Sequence, residues 1–304
     1  MSAETKSSPL PVVVGLGEVL WDVFPEGAQL GGAPANFACH AAALGVQASI
    51  VSVVGRDELG DRTLEALVSR GVEVNCIEKS DLPTGRVNVS VNERGEPNYE
   101  ISDGVAWEQQ VWTTERDTLA KSCDAVCFGT LGQRSPAAQK FITEFLQRTS
   151  PNCIRVFDVN LRQSFYSDPM IVESLQLASV LKLNDDELPV VCKAVGIEPR
   201  ATDAAHSLRQ KFDLDLVALT QGSTGAQLIG GQRTDFSPAT ATKVKDTVGA
   251  GDAYTAALTV GLLRGLNLSE INQAACSIAA FVCSQPGATP DLPTDLKRLL
   301  VHPS

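Results

Sequence analysis

Apolar residues in this chain fall into short continuous runs, separated by segments in which apolar positions recur at helical spacing. The first run, residues 12–17, is apolar throughout, as in strands that a parallel sheet buries on both faces. Comparable strand-like segments recur at 48–55, 124–129, 153–160, 178–184 and 216–229, the last with a glycine-rich turn in its middle. Strands that alternate with helices predict an α/β fold with a mainly parallel central sheet flanked by helices.

Residues 84–102 follow a different pattern. Val87, Val89 and Val91 alternate with polar residues, and positions 92–97 supply turn formers. Strict alternation predicts a half-exposed antiparallel hairpin. An ordinary surface hairpin would have no reason to interrupt a series of strand–helix units, so we expect this one to have a function.

Glycines mark the start and end of one predicted helix in the sequence GGAPANFACHAAALG, residues 31–45. Gly32 permits tight backbone approach, Pro34 suits an early helical position, and residues 36–44 form a helix that Gly45 ends. Asn36 lies in the first turns, where its amide either binds the hydroxyl groups of a ligand or caps the helix.

A glycine-rich helix start is the most informative feature of the chain, in KVKDTVGAGDAYTAALTVGLLR, residues 243–264. A short β-leaning run ends at Asp246, and Gly249, Ala250 and Gly251 then open a long helix. The first turn of a helix has amide groups without intrahelical partners and a partial positive charge. An anion can approach these amides closely because glycine has no Cβ, so we expect a phosphate or a phosphoryl group in transfer there.

Asp252 places a carboxylate in the same helical turn. A negative charge beside a bound phosphate is unfavourable, but a carboxylate there can accept the proton of an alcohol that attacks phosphorus. An acidic residue also stabilises the first turn of any helix. These residues alone therefore leave a structural role open.

Three other strand ends carry polar residues, each with a structural alternative. Asp22 follows the first strand and is either a ligand contact or a turn former. Arg162 follows the strand that ends at 160, and its guanidinium either meets a ligand oxygen or forms a surface salt bridge. Asn184 and Glu187 are three residues apart and either bind a ligand or cap a helix.

Composition restricts the function classes. The net charge is −11 over 304 residues and the hydrophobic content is 43%, which argues against a nucleic-acid surface. Eight scattered cysteines indicate reduced core residues of a cytoplasmic protein, and residues such as Cys123 and Cys127 should pack in the core. Residues 1–10 lack the pattern of a signal peptide and are predicted to be a disordered tail before one domain, 11–304.

The run DTVGAGD, residues 246–252, resembles the signature of the ribokinase-like (phosphofructokinase-B-type) sugar kinase family. In that family the last aspartate is the catalytic base and the GAG amides form an anion hole. The resemblance implies that Asp252 is the base and that Gly249, Ala250 and Gly251 form the anion hole.

Further motifs in the family's order imply the acceptor site. GGAPAN matches the family's GGxxxN sugar signature and is similar to fructokinases in particular, and DVNLR matches its DxNxR motif. The resemblance assigns sugar binding to Asp22, Gly32, Asn36 and Arg162. We expect transfer of the γ-phosphoryl of ATP to the primary hydroxyl of fructose. The alternatives are another acceptor, such as 2-keto-3-deoxygluconate or a nucleoside, and a catalytically silent sugar-binding regulator.

The same resemblance implies the sites for ATP and cations. The NxxE motif places Asn184 near the ATP phosphates and Glu187 at the water shell of Mg²⁺. The nucleotide loop includes Thr220, Gly222 and Gly225. Relatives hold a monovalent cation, largely through carbonyl oxygens. In this chain the corresponding site for K⁺ would be formed by Asp246, Val248, Val282, Gln285 and Gly287.

The family also implies a role for the hairpin. Strands from about 19–31 and from 84–102 form a small β lid that closes over the sugar in relatives, and lid hairpins there often pair in a homodimer. Closure matters because water is a competing phosphoryl acceptor.

Overall fold

The computed structural model describes residues 9–24, 27–91, 97–198 and 203–301. Of the predicted tail, residues 1–8 lie outside the described residues. Of the predicted turn at 92–97, residues 92–96 do so as well. None of the helices in these ranges has the length and apolar content that crossing a bilayer requires.

The first part of the chain is rich in strands and contains two long helices. In chain order the elements are β1 (Val12–Leu16), β2 (Leu20–Phe24), β3 (Gly27–Gly31), α1 (Ala33–Ala43), β4 (Gln47–Gly55), α2 (Glu58–Ser69), β5 (Val72–Glu73), β6 (Ile77–Ser80), β7 (Gly85–Val91) and β8 (Pro97–Ile101).

Strands and helices alternate in most of the remainder. The elements are α3 (Thr114–Ser122), β9 (Ala125–Phe128), α4 (Pro136–Arg148), β10 (Ile154–Asp158), α5 (Asp168–Leu177), β11 (Val180–Asn184), α6 (Glu187–Ala194), α7 (Ala204–Lys211), β12 (Leu216–Thr220), β13 (Gly225–Ile229), β14 (Thr234–Pro238), α8 (Ala250–Leu263), α9 (Leu268–Cys283) and α10 (Thr294–Arg298).

The main sheet has the strand order β14-β13-β12-β11-β10-β9-β1-β4-β5, and β6 also pairs with β4. Its pairs are parallel except β12 with β13 and β13 with β14. This confirms the predicted α/β class with a mainly parallel sheet flanked by helices.

A second sheet of four strands has the order β3-β2-β7-β8. It joins strands from the two segments, 19–31 and 84–102, for which the family resemblance implies a small β lid. The antiparallel pairing of β7 with β8 confirms the predicted hairpin. Closure of this sheet over a sugar stays a prediction.

Both faces of the main sheet are covered by apolar packing. Neighbouring residues of β1 belong to different clusters, because side chains alternate between the faces of a strand. Val13 packs in the cluster that includes residues of α1, α8 and α9, whereas Val14 packs with residues of α3 to α7. Cys123 and Cys127 are buried in these clusters, which confirms their predicted packing role.

The predicted β-leaning run that ends at Asp246 is wrong. The last strand of the sheet, β14, ends at Pro238, and residues 239–248 carry no strand. Lys243, Val244 and Lys245 are exposed, and local β propensity does not make a strand without a neighbour to supply hydrogen bonds. Helix α9 ends at Cys283, three residues before Pro286.

Candidate active site

The turn before α8 is possible only because residue 249 is glycine. Gly249 has φ 77°, in the left-handed region, where residues with a Cβ are strained. A Cβ at this position would also lie 2.2 Å from the carbonyl oxygen of Ala288. The N-terminus of α8, which carries a partial positive charge, therefore has no side chain at Gly249.

The helix start presents the amides that the sequence predicted as an anion hole. The amide of Ala250 makes a long hydrogen bond, 3.3 Å, to the carbonyl of Thr247. The carbonyl of Gly249 accepts the first bond of the helix, from the amide of Ala253 at 2.8 Å. Amides in a first helical turn and the helix dipole both favour a bound negative charge.

Asp252 is bound from a different helix. Asn36 on α1 donates through Nδ2 to Asp252 Oδ2 at 2.8 Å. The N-cap of α1 is Gly32, so the alternative that Asn36 caps its own helix is wrong. This bond brings the glycine-rich helix start of residues 31–36 against that of residues 249–252.

The pKa of Asp252 is raised to about 6, chiefly by burial and next by the negative charge of Asp158. The Asn36 hydrogen bond and the charges of Lys182 and Arg162 act in the opposite direction. A carboxylate with a pKa just below neutral is ionised at pH 7 and is more basic than an ordinary aspartate, as general-base catalysis requires.

A buried ion pair lies beneath the helix start. Lys182 Nζ is 2.9 Å from Asp158 Oδ1, and Thr255 on α8 donates to Asp158 Oδ2 at 2.8 Å. A Cβ at Gly251 would lie 3.1 Å from Lys182 Nζ. Burial lowers the pKa of Lys182, but the nearby carboxylates, chiefly Asp158 and Glu187, together with the Asp158 hydrogen bond raise it overall.

Sequence reasoning missed Lys182, although a signal was present. Lysine is rarely buried without a partner, and Lys182 stands in the otherwise apolar strand VLKLN. Asp158 belongs to the DxNxR motif, and its partner Lys182 has its ammonium next to Gly251 of the candidate anion hole.

Asp22 lies within β2, in register with Gln29 of β3. The alternative that it forms a turn is therefore wrong. Burial raises the pKa of Asp22, and the charge of Arg162 opposes that shift. Gly32 has φ 101°, and a Cβ there would lie 2.7 Å from the carbonyl oxygen of Glu18, so a side chain at this position would collide with the backbone between β1 and β2.

Sequence reasoning also missed Glu18, a buried acid. Its Oε1 accepts a 3.3 Å hydrogen bond from the amide of Ala33, and its Oε2 has no partner among the described residues. Burial raises the pKa of Glu18 to about 7. The signal was a glutamate between the buried strand β1 and the apolar pair Val19 and Leu20.

Arg162 acts electrostatically on three acids of this region. Its positive charge lowers the pKa of Glu18, Asp22 and Asp252. Its Nη1 donates to the carbonyl of Leu161 at 3.1 Å. Within the described ranges its guanidinium makes no salt bridge, which argues against the structural alternative.

The predicted nucleotide residues lie at the carboxyl ends of two neighbouring strands. Asn184 of β11 is in register with Thr220 of β12. Gly222 and Gly225 follow with φ 51° and 133°, and a Cβ at Gly225 would lie 2.1 Å from the carbonyl oxygen of Ser237. The glycines thus permit a tight turn beside Asn184.

Asn184 and Glu187 bond each other reciprocally in the turn before α6, whose N-cap is Asp186, and this pairing favours the structural alternative. The Glu187 amide donates to Asn184 Oδ1, and the Asn184 amide donates to Glu187 Oε2, both at 2.8 Å. Glu187 Oε1 accepts from the amide of Leu161 at 3.0 Å. A contact of this carboxylate with the water shell of Mg²⁺ stays a prediction.

The structure brings three of the five predicted monovalent-cation residues together. Asp246 accepts from the amide of Val248 at 3.0 Å and from the amide of Gly287 at 3.2 Å. The other two lie at the end of α9, where the carbonyl of Val282 accepts from the amide of Gln285 at 3.0 Å.

A cavity of about 440 Å³ opens at the opposite end of the sheet. Ile154, Val180 and Leu216, the first residues of their strands, line it. Ligands of open α/β sheets bind outside the carboxyl ends of the strands. The candidate site therefore lies at the Asp252 end and not in this cavity.

Comparison with known proteins shows the family over most of the chain. The pfkB family of carbohydrate kinases matches residues 23–295. A fructokinase of Klebsiella pneumoniae is 28% identical over 263 residues, which cover 81% of this chain and 83% of that protein.

Solved structures share the fold. An uncharacterized sugar kinase of Pyrococcus horikoshii in complex with ATP superposes with a TM-score of 0.80 at 26% identity, covering 95% of this chain and 100% of that one. Fructokinase of Xylella fastidiosa with bound ATP has a TM-score of 0.84 at 19% identity, covering 95% and 98%; this likeness concerns the fold. The chain belongs to the pfkB family of carbohydrate kinases.

Proposed function

We propose that this sugar kinase transfers the γ-phosphoryl of ATP to the primary hydroxyl of fructose. The observation that carries the proposal is the 2.8 Å bond between Asn36 and Asp252 at the bare start of α8. It joins a group suited to a sugar hydroxyl with a group suited to remove that hydroxyl's proton.

Asp252 acts as the general base. Its pKa of about 6 leaves it ionised at neutral pH, so it takes the proton of the attacking hydroxyl as the bond to phosphorus forms. The amides of Gly249, Ala250 and Gly251 stabilise the charge that develops on the phosphoryl group. Lys182, paired with Asp158, has its ammonium beside Gly251, next to these amides.

Asp22, Gly32, Asn36 and Arg162 position the sugar, and the charge of this region favours a neutral acceptor. Burial raises the pKa values of Glu18, Asp22 and Asp252, which means that the surroundings already disfavour negative charge. A sugar acid such as 2-keto-3-deoxygluconate would add a further negative charge. The similarity of GGAPAN to fructokinases favours fructose over a nucleoside.

Asn184, Thr220, Gly222 and Gly225 bind ATP in this proposal. Mg²⁺ keeps several water ligands and binds carboxylate oxygens directly or through these waters. Glu187 offers a carboxylate beside Asn184. Mg²⁺, when bound, neutralises charge on the phosphates. The residues around Asp246 would hold K⁺ through carbonyl oxygens.

The proposal includes a homodimer and a cytoplasmic location. β3 and β8 are the outer strands of the second sheet, and an outer strand can pair with a second chain, which supports a homodimer through the lid. All eight cysteines are free, which agrees with a cytoplasmic location.

The test is an ADP-release assay with a panel of sugars, with and without K⁺, in which Asp252→Asn serves as the inactive reference. We expect fructose to give the highest kcat/KM. A preference for a sugar acid or a nucleoside would overturn the assignment of the acceptor. Sugar binding without ADP release in the presence of ATP would identify a silent regulator instead.

A further inference from the structure

Helix α1 carries a second polar contact one turn after Asn36. His40 is buried, with 1% of its surface exposed, and its Nε2 lies 3.0 Å from the carbonyl oxygen of Ala288. Residues four apart share one face of a helix. Asn36 and His40 therefore bind two different segments from the same side of α1.

The chemistry of the contact defines the state of the ring. A carbonyl oxygen only accepts hydrogen bonds, so Nε2 carries the hydrogen and donates it. Burial lowers the pKa of His40 to about 4, so the ring is neutral at physiological pH and donates from one tautomer.

The carbonyl that His40 binds also lies against the anion hole. A Cβ at Gly249 would lie 2.2 Å from this same oxygen and 2.7 Å from the Cα of Ala288. Ala288 thus stands between the imidazole of His40 and the backbone turn that opens α8. The preceding residue, Gly287, is tied to the same turn through Asp246.

We propose that His40 is a positioning residue for phosphoryl transfer, which holds the Gly249 turn in place through the carbonyl of Ala288. Helix α1 then controls both halves of the site, since Asn36 orients Asp252 while His40 fixes the amides that receive the phosphoryl group. This inference rests on the proposed function, because it assigns a catalytic task to the turn.

The test compares His40→Gln with His40→Asn. Both replace the ring by a neutral amide, but the glutamine nitrogen is as many bonds from its Cα as Nε2 of histidine, whereas the asparagine nitrogen is one bond short. We expect His40→Asn to lose roughly ten- to a hundredfold in kcat, as for small displacements of reacting groups. The KM values for sugar and ATP should change far less, and His40→Gln should retain most of the wild-type rate.

A matched control is available in His206, whose ring bonds the exposed Thr234 hydroxyl. His206→Asn should have wild-type kinetics. Equal kcat values for His40→Gln and His40→Asn would overturn the proposal. So would a loss of kcat in both variants that follows a parallel loss of thermal stability, since that pattern indicates a structural role only.

Amide hydrogen exchange over residues 246–252 provides a readout that does not need turnover. We expect faster exchange there in His40→Asn and wild-type exchange in His40→Gln; equal exchange in both variants would overturn the proposal. If the wild-type protein phosphorylates no sugar, the proposed function fails, and this comparison alone decides the role of His40.

Discussion

The carboxylate of Asp252 accepts a hydrogen bond from the side-chain amide of Asn36, a residue 216 positions earlier in the chain. The bond joins the first turn of α8 to α1. It ties a group that can bind the acceptor hydroxyl to the group that can deprotonate it.

Asp252→Asn should lose on the order of a hundredfold or more in turnover, as expected for removal of a general base. The fold should persist, because an asparagine oxygen can accept the same bond from Asn36. The measurement is kcat by ADP release, together with the thermal midpoint. Asp295→Asn, a change at an exposed position in α10, is the control. Near wild-type turnover in Asp252→Asn would refute the assignment of the base.

The rate should fall on the acid side of pH 6. Because the pKa of Asp252 is raised to about 6, protonation removes the base as the pH drops through that value. We expect log(kcat/KM) to decline below about pH 6 and to approach a tenfold decrease per pH unit. A profile that stays flat down to pH 5 would show that another group is the base.

Replacement of Asn36 by alanine should move this acid limb to higher pH. The Asn36 N–H group donates to the charged form of Asp252 and lowers its pKa, so its removal disfavours ionisation. The measurement is the pH dependence of kcat/KM in Asn36→Ala beside wild type. A limb that shifts to lower pH, or that does not move, would contradict the electrostatic role of this bond.

Lys182→Met should destabilise the protein by about 3–5 kcal/mol, since it leaves the Asp158 carboxylate buried without its partner. The double variant with Asp158→Asn should recover part of this loss. Urea unfolding measures both. The buried pair would be irrelevant to stability if the single variant unfolded at the wild-type urea concentration.

Glu18→Gln should change how stability depends on pH. The pKa of Glu18 rises from 4.5 to about 7 on folding, so the folded state binds more protons between these values and stability falls as the pH rises through them. At 1.36 kcal/mol per pKa unit the effect is on the order of 3 kcal/mol.

Glutamine does not titrate, so the unfolding free energy of Glu18→Gln should increase relative to wild type between pH 4.5 and pH 8. Glu65→Gln, a change at an exposed position in α2, is the control for the substitution itself. Parallel curves for Glu18→Gln and wild type would contradict the buried-acid interpretation.

Much of the fold was predictable because its signals are local. Continuous apolar runs identified the parallel strands, and the alternation of Val87 and its neighbours identified the hairpin that pairs β7 with β8. The incorrect strand before Asp246 had a local signal too, but a strand also needs a neighbour, and residues 239–248 have none in the sheet.

The site was predictable in its motifs and not in its contacts. The glycines at 249 and 251 predicted an anion site because their chemistry lies within a few residues of chain, and the family resemblance added the role of Asp252 as the base. The sequence by itself therefore determined the chemical groups and the elements that carry them.

Tertiary structure alone decided which groups meet. The bonds of Asp252 with Asn36, of Lys182 with Asp158 and of His40 with Ala288 join residues far apart in the chain, and each depends on how the helices pack on the sheet. The raised pKa values of Glu18 and Asp252 follow from enclosure by many segments at once. Desolvation is a property of the folded surroundings, and no local stretch of sequence contains it.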